Sequence, residues 1–329
     1  MDDKSNIVLH HVFQGGSDAT TALFQLNNQF IVRKYSAGDG AVKLHSQCQW
    51  IKLYQTQLPL VSVINAYQHE PHVFYYDMCY WPDARDFFDV IQVTPQEASW
   101  RLLESVLKTM ILFHQENING VATSTLINRY VDTKILANFS KIKALATLLF
   151  KEKNLMINGK KIDLKKINHW ISDKNFDKRF SYRNTSVIHG DLTIDNILIK
   201  KDFSRGWFLI DPNVENIFES PLIDFAKILQ SLHLGYESLR RNATCSMENG
   251  NISFNINRSA QYEFLFYQYS VWLEKKFGGD YVREVMLHEI VHYLRLTPYK
   301  FRKSFETGIV FSACTLLLMQ EYLEKFEPC

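Results

Sequence analysis

The 329-residue chain is poor in cysteine: its five, Cys48, Cys79, Cys245, Cys314 and Cys329, are odd in number, widely scattered and form no CxxC pair. That pattern argues against a disulfide framework and a thiolate zinc site, and fits reduced thiols in a cytoplasm. Long apolar runs are also missing. The start, Met1-Asp2-Asp3-Lys4-Ser5-Asn6, is polar and acidic, and no apolar core of a secretory signal follows it. The most apolar late stretch, 308–319, carries Ser312 and Thr315 and is too short for a bilayer, so no membrane span is expected. An excess of charge of one sign is absent too. A net charge of +2 lacks the basic footprint of a nucleic-acid binder, and no nucleic-acid partner is expected. Internal repeats and low-complexity segments are likewise absent.

What is present is an ordinary globular composition, 46% hydrophobic and 22% charged. The length allows two lobes or one large domain with a substantial core. Residues 7–35 read as strands: Ile7-Val8-Leu9, a glycine turn at Gly15-Gly16-Ser17, Ala22 to Leu26, an Asn27-Asn28 hairpin turn, then Phe30 to Tyr35. Residues 41–55 change to helical spacing through Val42, Leu44, Cys48 and Ile51, and two more strand candidates start at Val61 and His72. From Thr94 the pattern turns helical. Thr94-Pro95-Gln96-Glu97 has the form of a capping box with proline at the first helical position. Asn158-Gly159 reads as a tight hairpin, and the polar stretch 240–257 as a loop or short excursion. Residues 141–180 hold eleven Lys and Arg against four acids, a run that usually coats a solvated helical face. The expected fold class is α+β: a small N-terminal antiparallel sheet lobe (1–80) and a larger, mostly helical lobe (81–329), divided near Trp81-Pro82.

The strongest chemical signal is Val187-Ile188-His189-Gly190-Asp191-Leu192-Thr193-Ile194-Asp195-Asn196-Ile197-Leu198, followed by Leu209-Ile210-Asp211-Pro212. Phosphoryl transfer from a nucleotide needs such a set. One carboxylate orients the acceptor hydroxyl, and an amide and a second carboxylate hold Mg²⁺ through hard oxygen ligands. Asp191 is the candidate catalytic residue; Asn196 and Asp211 are the candidate metal ligands. As polar loop residues capping strands they would need no such spacing.

These segments, with Ser220-Pro221-Leu222-Ile223-Asp224-Phe225-Ala226, resemble the aminoglycoside phosphotransferase and choline kinase-like family, which has a protein-kinase-like fold. The resemblance implies the roles just given to Asp191, Asn196 and Asp211, and makes Asp224 a brace of the catalytic loop. It further implies that Gly15, Gly16 and Ser17 cover the nucleotide phosphates, where paired glycines let backbone amides approach. Lys34 on the third strand would pair with the α- and β-phosphates, and Arg33 would face the other way. The segment through Met78 and Cys79 would receive the base. Cofactors expected on this basis are ATP or GTP, as substrate, and Mg²⁺.

One departure is clear. The family's lysine normally pairs with a helix glutamate, yet no Glu precedes Glu70; Gln47 or Gln49 occupies the place. A kinase-like regulatory protein with altered catalysis is the alternative this raises. The acceptor is expected to be a small molecule with a hydroxyl. Looser likeness to members associated with bacterial surface-polysaccharide synthesis favours a sugar or sugar-linked metabolite. Asp83, Asp86 and Asp89 could make an acidic pocket for a cationic acceptor. His288-Glu289-Ile290-Val291-His292 matches the HExxH zinc pattern, but lacks a third ligand at recognisable spacing, and its helix is explained by core packing.

Overall fold

A computed structural model of the chain describes residues 7–13, 19–69, 72–150, 155–203 and 205–327. Three antiparallel strands come first: β1 (Ile7–Phe13), β2 (Thr20–Leu26) and β3 (Gln29–Ala37). Asn27 and Asn28 turn β2 into β3 with φ of 47° and 65°, the left-handed pair that a two-residue hairpin requires and asparagine tolerates. The candidate phosphate turn, Gly15, Gly16 and Ser17, lies outside the described residues. Helix α1 (Asp39–Tyr54) buries Ala41, Leu44, Cys48 and Ile51 along one stripe, with Gln47 among them. Strands β4 (Val63–His69) and β5 (Val73–Cys79) complete a five-stranded sheet in the order β1-β2-β3-β5-β4. α1 packs on β3, β4 and β5.

The chain then passes through β6 (Arg85–Asp86) and α2 (Phe87–Val93) into α3 (Gln96–Glu116). The expected capping box does not form. Thr94 instead terminates α2 in an extended conformation, and Pro95 stands at the N-cap of α3 without a side-chain bond. Its carbonyl accepts from the amides of Ala98 and Ser99, both at 3.0 Å. After β7 (Ile118–Val121), α4 (Ser124–Tyr130) runs through a π-helical turn, Val131–Leu136, into α5 (Ala137–Phe150). The short strands β8 (Met156–Ile157) and β9 (Lys160–Lys161) are joined by Asn158-Gly159 at φ of 49° and 77°. α6 (Leu164–Ile171), β10 (Asn184–Ser186), β11 (Ile197–Ile199) and β12 (Trp207–Leu209) follow.

Five helices and a hairpin finish the helical part: α7 (Pro221–Leu234), α8 (Tyr236–Asn242), β13 (Cys245–Glu248), β14 (Asn251–Phe254), α9 (Ala260–Phe277), α10 (Gly279–Lys303) and α11 (Phe305–Phe326). The stretch expected as a loop or short excursion is mostly a hairpin. Its turn is Asn249-Gly250, again at positive φ (48° and 82°), and β14 pairs in parallel with β8. The mostly exposed strand β13 hid this: Ile252 and Phe254 are the buried apolar residues of the hairpin. In the basic run, Lys160 pairs with Glu324 at 2.7 Å and Arg179 with Glu327 at 2.8 Å, so part of that charge is neutralised by the C-terminal helix. Among the described residues, no helix is long and apolar enough to cross a membrane.

α7 is buried along its whole length; α10 and α9 pack beside it, and α11 packs on α10. The HExxH residues lie in this core. The Tyr130 hydroxyl meets His288 Nδ1 at 3.0 Å, whereas Glu289 faces His233 at 3.1 Å. The two side chains thus have different partners, and among the described residues no three His, Cys, Asp or Glu gather as a metal would need. Burial pushes His288 down to about 3, which keeps it neutral. Burial alone would also lower His233, but Glu289 at 3.1 Å and Glu321 at 3.3 Å raise it to about 10. In the unfolded chain this imidazole loses its proton near 6.5; in the folded chain it keeps the proton to higher pH. Its stabilising contribution is therefore complete below about pH 6.5 and declines as pH rises toward about 10. Thermal denaturation should show the melting temperature falling over that window, and His233→Gln should flatten the slope. An identical slope in the variant would remove the cluster as its source.

Candidate active site

The site is built where the sheet meets the loops flanking β11 and β12. The segment between α1 and β4 joins the two parts. The Val61 amide donates to Leu209 O at 3.0 Å, and the Leu209 amide donates to Pro59 O at 2.8 Å, extending β12 with a piece of the N-terminal chain. Asp211 follows at φ 56°, a left-handed conformation that aspartate adopts more readily than most residues. Its carboxylate turns toward the sheet and meets Lys34 Nζ at 2.8 Å. Lys34 is 4% exposed, so this pair holds a buried ammonium that would otherwise be very costly.

Gln47, not Gln49, is the helix partner. Its Oε1 accepts from Lys34 Nζ and from the Tyr76 hydroxyl, both at 3.0 Å, and its Nε2 donates to Pro212 O at 2.6 Å. Gln49 is exposed and contacts only His45 among the described residues. The position needs an acceptor for two groups and a donor for a carbonyl. An amide provides both; a carboxylate would set its oxygen against Pro212 O. The missing glutamate is thus a local requirement, and the negative charge beside Lys34 comes from Asp211.

Alternation along β3 sends Arg33 the other way, as its sequence position suggests. It forms a bidentate pair with Asp77 (2.7 and 2.9 Å) and lies 4.2 Å from the Tyr75 ring centroid. Val32 and Met78 are directly paired across β3 and β5, two positions from Lys34 and Tyr76, and so share the Lys34 face. Val32 is a candidate base-contacting residue that sequence reading did not single out. The Cys79 amide already donates to Ser62 O at 3.1 Å, so it is not free for a purine.

The catalytic-loop candidates are fixed from below by α7. Asp224, fully buried, accepts from the amides of His189 (2.9 Å) and Gly190 (2.7 Å) and meets His114 Nε2 at 2.9 Å. One turn on, Lys227 Nζ lies 3.0 Å from Asp191 Oδ1; a turn further, Ser231 Oγ accepts from the Ile194 amide at 3.1 Å. Gly190 sits at φ 75°, where a Cβ would collide with Asn213 O and come within 2.6 Å of Asn216 Nδ2. Asn196 donates Nδ2 to Asp191 O (2.7 Å) and Oδ2 (3.2 Å), and among the described residues its Oδ1 has no hydrogen-bond partner. The Ile210 amide donates to Asn196 O at 3.1 Å, tying Asn196 to the strand that delivers Asp211.

Burial would raise the Asp191 carboxyl, but Lys227 and His189 outweigh it and hold the group below the usual carboxylate range. It is an anion at neutral pH. Asn196 Oδ1 and Asp211 Oδ2 are hard oxygen donors on adjoining segments and suit a magnesium ion completed by phosphate and water oxygens. Lys227 was missed in the sequence, although a lysine set among Phe225, Ala226, Ile228 and Leu229 was a visible signal. The Asp83, Asp86 and Asp89 group does not form an acidic pocket. Asp83 pairs with Lys200 at 3.2 Å, Asp86 caps α2 through the Asp89 amide at 2.8 Å, and Arg241 lies against Asp89 at 3.3 Å.

An antiparallel sheet over a helical part, with this lysine, aspartate and asparagine between them, is the arrangement of a protein-kinase-like fold. In sequence, the chain matches no protein-family model and no curated protein. In structure it is similar to a thermostable mutant of aminoglycoside phosphotransferase APH(4)-Ia (TM-score 0.57, 10% identity), with 98% of this chain and 96% of that one covered. A putative fructosamine-3-kinase from Haemophilus somnus 129PT aligns at TM-score 0.55 and 10% identity, over 96% and 92% of the two chains. A Plasmodium vivax ethanolamine kinase aligns at 0.51 and 11%, over 97% and 83%. The phosphotransferase mutant also occurs in a ternary complex with ADP and hygromycin B.

Two substitutions test this construction. Gln47→Glu should destabilise the fold by about 1–3 kcal/mol, because it leaves the Pro212 carbonyl without its donor; denaturant titration that finds the variant more stable would refute the amide requirement. Asp224→Ala should cost about 3–5 kcal/mol, the scale for uncovering buried donors and a buried partner. A loss below about 1 kcal/mol in the same titration would mean that the brace is dispensable.

Proposed function

We propose that the protein is a small-molecule kinase, transferring the γ-phosphoryl group of ATP or GTP to a hydroxyl acceptor. The observation that carries this is the convergence of Lys34, Asn196, Asp211 and Asp191, drawn from distant parts of the chain and linked by the 2.8 Å Lys34–Asp211 pair. Residues 1–80 would supply the nucleotide-binding part and 81–329 the catalytic and acceptor-binding part. Lys34 stands where it would pair with phosphates. Val32 and Met78 would face the base, and Gly15, Gly16 and Ser17 would cover the phosphates. Asn196 and Asp211 would hold Mg²⁺, which when bound neutralises developing charge on the phosphoryl oxygens.

Asp191 accepts the hydrogen bond of the acceptor hydroxyl and aims its oxygen at phosphorus. Lys227 keeps the carboxylate ionised and in one rotamer, while Asp224 and Gly190 hold the backbone that carries it. The alternative, a regulatory nucleotide binder with lost catalysis, was prompted by the missing glutamate. Gln47 meets Lys34 without it, so that motive weakens. The likeness in sequence to surface-polysaccharide members favours a sugar-linked hydroxyl.

Asp191→Asn should lower turnover by roughly 10²–10⁴-fold while leaving the nucleotide-induced melting shift nearly intact. Parallel loss of nucleotide binding would make Asp191 structural. If no purine nucleotide stabilises the wild-type protein, with or without Mg²⁺, the kinase reading fails.

A further inference from the structure

Lys227 and Arg295 act on Asp191, and further basic side chains lie near these two. Lys227 touches the carboxylate itself at 3.0 Å. On α10, Arg295 continues the His288–His292 face by almost one further turn, and this guanidinium lies within electrostatic reach of both Asp191 and Lys134. Lys134 comes from the π-helical turn that packs on α10. Lys300, further along α10, lies 5.5 Å from the Tyr236 ring centroid and 4.7 Å from that of Phe311, a cation held against aromatic faces. Among the described residues, none of Arg295, Lys134 and Lys300 has a carboxylate within 4.0 Å.

The nearby acids are already taken. Asp195 binds Arg240 at 2.7 Å, Glu215 binds Lys43 at 3.2 Å, and Glu237 is buried against Ser231 and Tyr262. Asp83, Asp86 and Asp89 are occupied by Lys200 and Arg241 or by capping. Uncompensated positive charge gathered beside a reaction centre repels a cation and attracts an anion. Burial lowers Lys300 to about 8, and Arg240, Lys303 and Lys227 add to the effect against the opposing pull of Asp195, so like charges prevail around this ammonium.

From this geometry we infer that the acceptor carries an anionic group, a phosphate or carboxylate, which docks against Arg295, Lys300 and Lys134 while its hydroxyl meets Asp191. The inference rests on the kinase reading and sets this site apart from one built for a polycationic or quaternary-ammonium acceptor. Lys227, between the carboxylate and these cations, would contact both the docked anion and the base.

Binding of four ligands on one ring framework tests it: glucose, glucuronate, glucose 6-phosphate and glucosamine, titrated into full-length protein loaded with Mg²⁺ and a non-hydrolysable ATP analogue. Loading occupies the Lys34 phosphate site, so it cannot capture the anions. The expected result is tighter binding of glucose 6-phosphate or glucuronate than of glucosamine by about tenfold or more, decreasing with salt. A response to the phosphate alone or the carboxylate alone identifies which anion these cations accept. In Arg295→Gln and Lys300→Gln the preference should fall several-fold with the nucleotide melting shift retained, which separates docking from folding. Equal binding, a preference for glucosamine, or a preference unchanged in both variants overturns the inference. If the nucleotide itself fails to bind, the kinase reading fails, and the same ligands on the unloaded variants still decide the charge preference.

Discussion

The ion pair between Lys34 and Asp211 is the contact on which the site depends. It joins a strand of the N-terminal sheet to the residue after β12, and both partners lie on elements with independent anchors. Lys34 is fixed by strand pairing and by Gln47. Asp211 is fixed by the exchange of backbone bonds between Pro59–Val61 and Leu209. A buried ammonium cannot stay charged without a counter-ion, and a carboxylate at its partner's hydrogen-bond distance is the least costly solution. The pair therefore sets the distance between the sheet and the catalytic loop. Among the described residues, the second oxygen of Asp211 has no hydrogen-bond partner.

The second constraint runs along α7. Asp224, Lys227 and Ser231 fall at i, i+3 and i+7, and each meets a successive part of the loop: the His189–Gly190 amides, the Asp191 carboxylate and the Ile194 amide. A rigid, wholly buried helix thus serves as a template for an irregular backbone. The loop needs such support because its own hydrogen bonds cannot make a regular ladder. Gly190 allows it to press on Asn213, where any side chain would collide.

Much of this was legible in the sequence. The strands at 7–13, 20–26 and 29–37, the Asn-Asn and Asn-Gly turns and the helix after Lys34 carry strong local signals, and they form as expected. Asp191, Asn196, Asp211 and Asp224 were visible because their spacing is unusual for plain loops. Other features depend on long-range contacts. The Thr94 capping box failed because α2 ends there and claims the residue. The 245–254 hairpin was obscured by its polar face, although Asn249-Gly250 was a turn signal. Choosing Gln47 over Gln49 required knowing which face of α1 meets Pro212, a contact made across 165 residues. Lys227 was not singled out because its partner is remote in sequence.

Lys227 also clarifies what kind of base Asp191 can be. A carboxylate beside an ammonium is a weak proton acceptor, and its titration is displaced to lower pH. That would hinder a reaction requiring early removal of the acceptor proton. Phosphoryl transfer through a loose transition state makes no such demand, since the hydroxyl need only be aligned until charge has moved to the leaving group. A depressed, firmly held carboxylate is well suited to alignment. The same lysine lowers the local cost of bringing negative charge close to Asp191. In the proposed kinase, the feature that makes the aspartate a poor base would also make the pocket hospitable to an anionic acceptor, and one buried cation would link the chemistry of transfer to the charge of the molecule received.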